Sequence, residues 1–512
     1  MKKRFLFRMV VPAMSDNIFS RLMKKTIALG PVMVATSASK LFDWDVEIIY
    51  EAGCRKWIPR DAEGDIDHST LQAERPADAV GFYGSISSTM PRVWKLAKFY
   101  QSQKVLTISG GLHPHYEPFE SLKNGIDVIV HSDGEKTIRE ILLSFQGANR
   151  KKDLFIRIAG LSFIQDGEVI TTAQTPISVG YCSYLECLPH PDFGLIRDCK
   201  IKVYPVGRIR GCGMNCEFCS VKEKARWSSQ NKLFTTVQWL VETRKAKEFF
   251  LVDDRMEEDK EGSKLFFELI REKYGRKLDF TVQVRLGAAR DEKFLSLLRE
   301  AGVQRVCIGY ESPIDEELIA MKKGILSAEM IELTQAYHRF GFFVHAMFIF
   351  GYPGTINPLS AKERVKRFKK FIRQSKLDSI QVLKAIPIVG SQLRGRLEKE
   401  EKLLPLAIVP WDKYDGNYVC FIPDDMSIKE LQECPIKIMS WFYHGWSFWR
   451  IGLRTIAMPF DYLLRGWHRW YHGWWNDIVR FGGNRIYRQW RQKNRTTIFV
   501  KQLESFIKNK TL

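Results

Sequence analysis

Hydrophobic residues between positions 203 and 389 follow two alternating patterns. Apolar residues at helical spacing, such as Phe294, Leu297 and Leu298 behind the potential N-cap Asp291, predict helices. Runs rich in β-branched and aromatic residues separate these segments and predict six strands, at 203–210, 248–253, 279–284, 304–310, 343–350 and 379–386. Strands that alternate with helices favour βαβ units and a parallel sheet.

The first 150 residues show a similar alternation and predict a second α/β domain. Its strands are expected at 5–11, 44–50, 79–83, 105–110 and 128–131. Small polar or glycine-rich turns follow the last three of these strands. At the carboxyl edge of a doubly wound sheet, such turns let a large ligand lie close to the backbone. The segment 153–196 is predicted to connect the two domains, with a hairpin around Gln165-Asp166-Gly167.

A broad aromatic stripe marks the C-terminal segment. Helical spacing places on one face Phe460, Leu463, Leu464, Trp467, Trp470, Tyr471, Trp474, Ile478 and Phe481. The opposite side carries Arg465, Arg469, His472, Asn476 and Arg480. Three interpretations remain open: an interfacial membrane helix, packing against the preceding domain, or binding of single-stranded nucleic acid.

Composition narrows the class of protein. The 512 residues suffice for two or three domains, and the hydrophobic fraction of 45% excludes wholesale disorder. Ten cysteines in a chain of this length do not form a disulfide scaffold. The formal net charge is +20, and half of it lies after residue 440, where 13 basic residues face three acidic ones. Since no run of roughly 18 uncharged apolar residues occurs, we expect a cytoplasmic protein that contacts the inner face of the membrane if the aromatic helix is interfacial.

Three cysteines directly after the first strand of the 203–389 region carry the most specific chemistry. Cys212, Cys216 and Cys219 form a CxxxCxxC loop with Phe218 before the last cysteine. Three thiolates can hold three irons of a 4Fe–4S cluster and leave the fourth iron open to the amino and carboxylate groups of a small molecule such as S-adenosylmethionine (SAM). A zinc site would need a fourth ligand, and the nearest candidate, Cys199, lies well upstream. Unrelated buried cysteines are the other alternative.

The cysteine spacing resembles the signature of the radical SAM superfamily. The resemblance implies a partial (β/α)6 TIM-type barrel that binds a 4Fe–4S cluster through the three cysteines. Turns after later strands are similar to the family's SAM-binding elements, with Glu311 at the ribose and Gly351-Tyr352-Pro353-Gly354 beside the adenine. The implied SAM-binding residues are Phe218, Asp254, Arg285, Glu311, Gly351 and Pro353. For Asp254 and Arg285, a structural ion pair is an equal alternative.

The N-terminal domain resembles the cobalamin-binding domain of a large radical SAM subfamily. Val80-Gly81-Phe82, Gly110-Gly111-Leu112-His113 and Gly134-Glu135 match its pattern, whereas Ser132-Asp133 departs from it. The implied cobalamin-binding residues are Gly84, Ser85, Ser87, Ser88, Gly110, Gly111, His113, Gly134 and Glu135. The Asp-x-His-x-x-Gly motif is absent, so no protein histidine is expected on cobalt. The alternatives are a nucleotide-binding or purely structural Rossmann-like domain, although no GxGxxG follows the first strand.

Together these features predict an α/β protein in four parts. They are a doubly wound cobalamin-binding-like domain (1–150), a connector (151–200), the radical SAM barrel (201–395) and an α-rich C-terminal extension (396–512). Residues 411–432 resemble an extension of lipid and hopanoid methylases. The resemblance therefore implies a class B radical SAM enzyme that methylates an unactivated carbon of a hydrophobic substrate through a 5′-deoxyadenosyl radical.

This mechanism requires no general base, so no catalytic side chain is nominated. The implied partners are a small hydrophobic substrate and a flavodoxin-like or ferredoxin-like electron donor. Three other functions remain open: cyclisation or carbon–carbon bond formation without methyl transfer, radical modification of RNA, and a non-catalytic iron–sulfur scaffold.

Overall fold

The computed structural model describes residues 4–14, 25–53, 58–131, 133–147, 153–174, 177–356, 358–493 and 496–510, without the side chains of 153–154, 461–469, 492–493 and 509–510. Ser132 of the predicted turn lies outside the described residues. The chain divides into two compact units. The first contains residues up to 208 together with 226–247, and the second contains 209–225 together with 248–510.

The first unit contains a seven-stranded sheet in the order β2-β1-β3-β4-β5-β6-β7. Strands β1 to β5 run parallel, whereas β5, β6 and β7 pair antiparallel. The five predicted strands and the predicted hairpin are therefore confirmed. The strands are β1 Phe5–Val11, β2 Trp44–Tyr50, β3 Ala79–Tyr83, β4 Leu106–Gly110, β5 Val128–Val130, β6 Leu161–Gln165 and β7 Glu168–Thr171.

Helices in the first unit connect and cover this sheet. They are α1 Leu29–Ala38, α2 His68–Glu74, α3 Met90–Ser102, α4 Leu112–Tyr116, α5 Pro118–Lys123, α6 Gly134–Gly147, α7 Ser183–Glu186 and α8 Gln230–Arg244. Helices α1 and α6 pack against each other. The contact is close, because a Cβ atom at Gly134 would lie 2.9 Å from Val34 Cγ2. Short strands β8 Gly180–Tyr181, β9 Val203–Val206 and β11 Arg226–Trp227 also belong to this unit, and β8 pairs parallel with β11.

The second unit is built on five parallel strands that are adjacent in chain order. They alternate buried and half-buried positions, as expected where one face packs on helices and the other encloses a site. The strands are β12 Glu248–Leu251, β13 Asp279–Gln283, β14 Val303–Glu311, β15 Phe343–Phe350 and β16 Ser379–Lys384, preceded by the short β10 Ile209–Arg210. The connecting helices are α9 Lys260–Tyr274, α10 Glu292–Glu300, α11 Asp315–Ala320, α12 Ser327–Arg339 and α13 Ala361–Ser375. The predicted alternation of strands and helices is confirmed.

Five helices complete the second unit. They are α14 Gln392–Lys399, α15 Ile428–Phe442, α16 Ser447–Ile456, α17 Met458–Lys493 and α18 Thr496–Lys510. Helix α15 begins with a capping box between Ser427 and Glu430 and packs along β16. None of the described helices is both long and apolar enough to cross a membrane.

The predicted aromatic helix exists as part of α17. Trp470 is buried and its indole N–H donates to Arg454 O at 2.7 Å. On the side predicted to be polar, His472, Asn476 and Arg480 line a cavity instead of facing open solvent. The predicted positions Leu463, Leu464, Arg465, Trp467 and Arg469 lie outside the described side chains.

Candidate functional site

The cysteine loop is shaped by two glycines and by the residues that follow it. Gly211 has a φ of +84°, and a Cβ atom there would lie 2.6 Å from Lys224 O. Gly213 also has a positive φ, +63°. The Cys212 N–H donates to Glu223 O at 3.2 Å. The chain therefore folds back over its own loop, which fixes the backbone on which the cysteines sit.

Two carboxylates after β12 hold the entrance of the loop. Asp253 Oδ1 accepts from the Ile209 N–H at 2.9 Å, and Asp254 Oδ2 accepts from the Gly211 N–H at 2.8 Å. Asp254, predicted to bind SAM, thus makes a structural contact with the loop. Its role toward SAM remains a prediction.

Among the cysteines of the loop, Cys216 is buried, and Cys212 and Cys219 are half-buried. Burial raises the pKa of Cys212 and of Cys219. The Val221 N–H lies 3.4 Å from Cys219 Sγ, where it stabilises a thiolate. Among the described side chains, no group of three Cys, His, Asp or Glu residues converges on a point that could hold one metal ion. In a 4Fe–4S cluster, each thiolate binds a different iron.

Glu217 anchors the loop between two cysteines, and the sequence analysis missed this residue. Its carboxylate takes a bidentate contact from Arg396, at 2.8 Å from Nε and 3.2 Å from Nη2. The Tyr352 hydroxyl donates to Glu217 Oε2 at 2.6 Å. Burial alone would raise the pKa of Glu217, but Arg396 and Tyr352 outweigh burial and lower it. The loop is therefore tied to α14 and to the turn after β15.

Phe218 and Glu311, both predicted to bind SAM, are joined by Lys323. The ammonium group lies 5.9 Å from the centre of the Phe218 ring and 2.6 Å from Glu311 Oε1. Glu311 has a φ of +61°, at a register shift between β14 and β15. A non-glycine residue in this conformation is strained and requires support from its surroundings, which is typical of functional sites.

Arg285 and the turn after β15 complete this group. Arg285 Nη1 lies 3.1 Å from Met214 Sδ in the cysteine loop, and Nη2 donates to Lys323 O at 2.7 Å. Gly351 has a φ of +73°, and a Cβ atom there would overlap Leu431. The Pro353 carbonyl accepts from Arg396 Nη2 at 3.2 Å. Except for Gly351, each predicted SAM residue contacts the cysteine loop or a direct partner of it.

In the first unit, the turns after β3 and β4 interlock. The Gly84 N–H donates to Gly110 O at 2.9 Å, and the His113 N–H donates to Gly84 O at 3.1 Å. Gly111 has a φ of +118°, and a Cβ atom there would lie 2.6 Å from Ser85 Oγ. The structure therefore brings five predicted cobalamin-binding residues to one edge of the sheet: Gly84, Ser85, Gly110, Gly111 and His113.

The predicted cobalamin residues differ in accessibility. Ser85, Gly110, Gly111 and Gly134 are half-buried. Ser87, Ser88, His113 and Glu135 are buried, with His113 Nδ1 3.0 Å from Ser87 Oγ. We infer that the first group forms the accessible rim, whereas the second supports it from behind.

Three further side chains at this edge were missed from the sequence. His131 Nδ1 lies 3.1 Å from His115 Nδ1, and burial lowers the pKa of His131 to about 4. Arg226 pairs with Asp133, the residue that departs from the family pattern, with Nη2 at 3.1 Å from Oδ1. Each pair joins residues from different segments of the chain, and spacing along the chain does not reveal such contacts.

Residues 206–357 match the family model of the radical SAM superfamily. The chain contains a radical SAM domain. The match includes the cysteine loop, Arg285, Glu311 and the turn at Gly351, and it confirms the resemblance of this region to the radical SAM superfamily.

Curated relatives match about half of the chain. The anaerobic magnesium-protoporphyrin IX monomethyl ester cyclase of Synechocystis sp. is 26% identical over 262 residues, which are 48% of this chain and 50% of that protein. The hopanoid C-2 methylase of Rhodopseudomonas palustris is 24% identical over 256 residues, which are 48% of this chain and 46% of that protein. The chain thus spans about half the length of the curated relatives it matches.

Solved structures share the fold over more of the chain. The radical SAM methyltransferase TsrM from Kitasatospora setae, solved with cobalamin and a 4Fe–4S cluster, has a TM-score of 0.62 at 15% identity and covers 78% of this chain and 75% of its own. The cobalamin-dependent SAM radical enzyme OxsB, solved with aqua-cobalamin, has a TM-score of 0.66 at 13% identity. The match covers 93% of this chain and 72% of the OxsB chain. The predicted α/β fold class is therefore confirmed.

The residues present fit the cofactors of a radical SAM domain. The three cysteines share one braced loop, and the donor set of three thiolates is that of a 4Fe–4S cluster with one open iron. In the first unit, glycines 110 and 111 leave a half-buried stretch of backbone at the sheet edge. Ser88, in the turn after β3, has a buried Oγ with no hydrogen-bond partner among the described residues. These features fit a large ligand that approaches the backbone closely.

Proposed function

We propose that the protein is a cobalamin-dependent radical SAM methyltransferase that acts on an unactivated carbon of a hydrophobic substrate. The observation that carries this proposal is the contact network in the second unit. It joins the cysteine loop to the strand-end residues Arg285 and Glu311 through Met214, Phe218 and Lys323. Such a network would fix the position of a SAM molecule relative to a cluster on the cysteine loop.

Each residue of the network has a definite task in this proposal. Cys212, Cys216 and Cys219 would each bind one iron. Arg285 would pair with the carboxylate of SAM, as guanidinium groups do in bidentate geometry. Glu311 would accept hydrogen bonds from the ribose hydroxyls through Oε2, since Lys323 occupies Oε1. When bound, the cluster and SAM supply a radical able to remove an inert hydrogen atom, and cobalamin supplies the methyl group.

The first unit would hold cobalamin along the edge formed by Gly84, Ser85, Gly110 and Gly111. Glycine is required there because side chains at Gly84 and Gly111 would collide with Pro114 and Ser85, respectively. His113 would be a supporting residue, since it is fully buried and bonded to Ser87. Replacing His113 would then weaken the turn without removing a ligand of cobalt.

A hydrophobic substrate is supported by two observations. The hopanoid C-2 methylase is among the relatives of the chain. Large apolar side chains also remain exposed on the C-terminal helices, among them Trp449 and Leu453. We place the protein at the inner face of the cytoplasmic membrane, with an electron donor of the flavodoxin or ferredoxin class.

A second candidate function is ring formation without net methyl transfer. Two relatives are magnesium-protoporphyrin IX monomethyl ester cyclases, and each is 26% identical to the chain over its matched region. The two reactions differ in product mass, because methylation adds one carbon whereas cyclisation removes hydrogens.

Comparative lipid mass spectrometry of cells with and without the gene tests the proposal. Methyl transfer predicts lipid species that lose one methyl group in the deletion strain and regain it on complementation. Growth with methyl-labelled methionine should place the label in those species. Products that differ only in hydrogen content would favour the cyclase, and an unchanged lipid profile would contradict a lipid substrate.

A further inference from the structure

A cavity of about 570 Å³ lies in the second unit, at the amino ends of β15 and β16. Asp378 directly precedes β16, and the His472 ring lies 4.3 Å from that of Phe343, the first residue of β15. The predicted SAM residues follow the opposite, carboxyl ends of the strands. Since an eight-residue strand spans roughly 25 Å, the cavity is separate from the cysteine loop.

The charged groups that line this cavity are mostly basic. Two carboxylates are present, Asp378 and Asp477, against five cationic side chains: Arg373, Lys376, Arg450, Arg454 and Arg480. Three histidines, His338, His444 and His472, add further nitrogen atoms. The cavity therefore carries an excess of positive charge even when its histidines are neutral.

Both carboxylates are already engaged with protein groups. Asp378 accepts from the Val344 N–H at 2.7 Å and from Asn476 Nδ2 at 2.5 Å, and it lies 3.2 Å from His338 Nε2. Asp477 lies 2.8 Å from Arg454 Nε and 3.3 Å from Arg450 Nε. Asp477 thus orients Arg450 and Arg454, and neither carboxylate pairs with Arg373 or Lys376 in these contacts.

Arg480 offers an unpaired donor at this cavity. Within the described part of the chain, its buried Nε has no hydrogen-bond partner. Its guanidinium lies 4.8 Å from the centre of the Phe442 ring. Nη2 donates a long hydrogen bond of 3.5 Å to Leu377 O. Burial lowers the pKa of Arg480. Arg480 as a whole is half-buried, but leaving its buried Nε donor unpaired is costly, and an anion in the cavity would offset this cost.

Helix α16 connects this cavity to an exposed apolar face. Arg450 and Arg454 line the cavity, whereas Trp449 and Leu453 on the same helix are 65% and 66% exposed. Because successive residues are rotated by roughly 100°, the arginines flank the apolar face. Ile456 continues this face and is 78% exposed. An interfacial helix has this arrangement, with apolar side chains in the acyl boundary and guanidiniums at the phosphates.

We propose that this cavity binds the phosphate headgroup of an anionic membrane lipid while the apolar face of α16 enters the bilayer boundary. Its volume is within the range of ligand pockets and exceeds that of a free phosphate ion. Binding of a lipid headgroup in this cavity does not depend on the methyl transfer proposed above. It can therefore fail while methyl transfer stands, and the reverse also holds.

Gly473 offers a variant that perturbs the cavity without changing its charge. A Cβ atom at Gly473 would lie 2.5 Å from Arg454 Nη1 and would displace that guanidinium. Gly482 is the matched control, because it lies on the same helix and an added Cβ would meet nothing within 4 Å. For the apolar face, Trp449→Ser is compared with Phe42→Ser, since Phe42 is an exposed ring in the first unit.

The full-length protein is tested by sedimentation with phosphatidylcholine vesicles, with and without phosphatidylglycerol, and by calorimetric titration with sn-glycerol 3-phosphate. We expect binding that requires phosphatidylglycerol and weakens about fivefold in Gly473→Ala, the effect of one guanidinium near an anionic surface. Gly482→Ala and Phe42→Ser should bind like the wild type. Trp449→Ser should lose vesicle binding but keep glycerol phosphate binding.

Three results would overturn the proposal. Equal binding to vesicles without phosphatidylglycerol would exclude a role for the headgroup. Unchanged binding by Gly473→Ala would exclude the cavity. Binding of glycerol phosphate without any vesicle binding would identify a soluble phosphate ester as the ligand and rule out the lipid.

Discussion

Lys384 ends strand β16 with an ammonium group that is almost entirely buried. Its Nζ donates to Asn417 O at 3.0 Å. Burial lowers the pKa of Lys384 from 10.5 to about 8, although Asp415 acts in the opposite direction. The neutral amine is therefore favoured by folding, while the unfolded chain retains the proton up to higher pH.

This shift predicts that stability rises with pH above 8. Between the folded and unfolded pKa values, the unfolded state binds more protons, so deprotonation favours the folded state. From pH 8 to 9.5, the free energy of unfolding should increase by up to about 2 kcal/mol relative to Lys384→Met. Urea unfolding at both pH values measures this difference. The exposed Lys366→Met variant should behave like the wild type, and equal pH slopes for wild type and Lys384→Met would contradict the shifted pKa.

Arg8 shows what a sequence can and cannot reveal about one residue. The apolar run at 5–11 predicted a strand correctly, although Arg8 interrupts it. The buried charge of Arg8 is stabilised by two hydrogen bonds. Its Nε donates to Glu47 Oε1 at 2.6 Å, and its Nη1 donates to the Tyr100 hydroxyl at 3.0 Å. These partners are 39 and 92 residues away along the chain. Such pairs arise only when the sheet and its helices assemble, so no local pattern could identify them.

At the scale of elements, the bounds of strands were the most predictable feature. β1, β2, β3 and β15 begin and end at the predicted residues. Their apolar runs are bounded by turn residues, and this signal is local. The orientation of α17 was less predictable, because helical periodicity defines two faces but not the surface against which each of them packs.

The contact between the cysteine loop and helix α14 was also not predicted from the sequence. We expect Glu217→Gln to weaken this contact, because it removes the charge that Arg396 binds while keeping the shape of the side chain. The loss of a charged hydrogen bond at this buried position should destabilise the loop by about 2 kcal/mol. We therefore expect the reconstituted Glu217→Gln protein to lose iron faster than the wild type. The decrease in cluster absorbance with time measures this loss.

The matched control for this prediction is Glu398→Gln. Glu398 pairs with Arg394 at 2.9 Å on the same helix, but its side chain is exposed to solvent. An exposed pair of this type contributes little, so this variant should retain iron like the wild type. Equal rates of iron loss for Glu217→Gln and wild type would show that the anchor does not support the cluster.

At the scale of the whole molecule, the two units divide the proposed chemistry. The first presents glycine-rich turns at a sheet edge, and the second carries the cysteine loop and the basic cavity. Half of the net charge was assigned to the C-terminal segment from the sequence alone. The convergence of basic residues on one cavity required the fold, because Arg373 and Lys376 come from helix α13 and its end, far from Arg480 in sequence.

The central claim is that Cys212, Cys216 and Cys219 hold a 4Fe–4S cluster that cleaves SAM. Anaerobic reconstitution with iron and sulfide, followed by SAM and a reductant, tests it through bound iron and 5′-deoxyadenosine. Cys216→Ala should lose both, whereas the control Cys187→Ala, an exposed cysteine outside the loop, should retain both. If Cys216→Ala bound iron and formed 5′-deoxyadenosine like the wild type, the account would be contradicted.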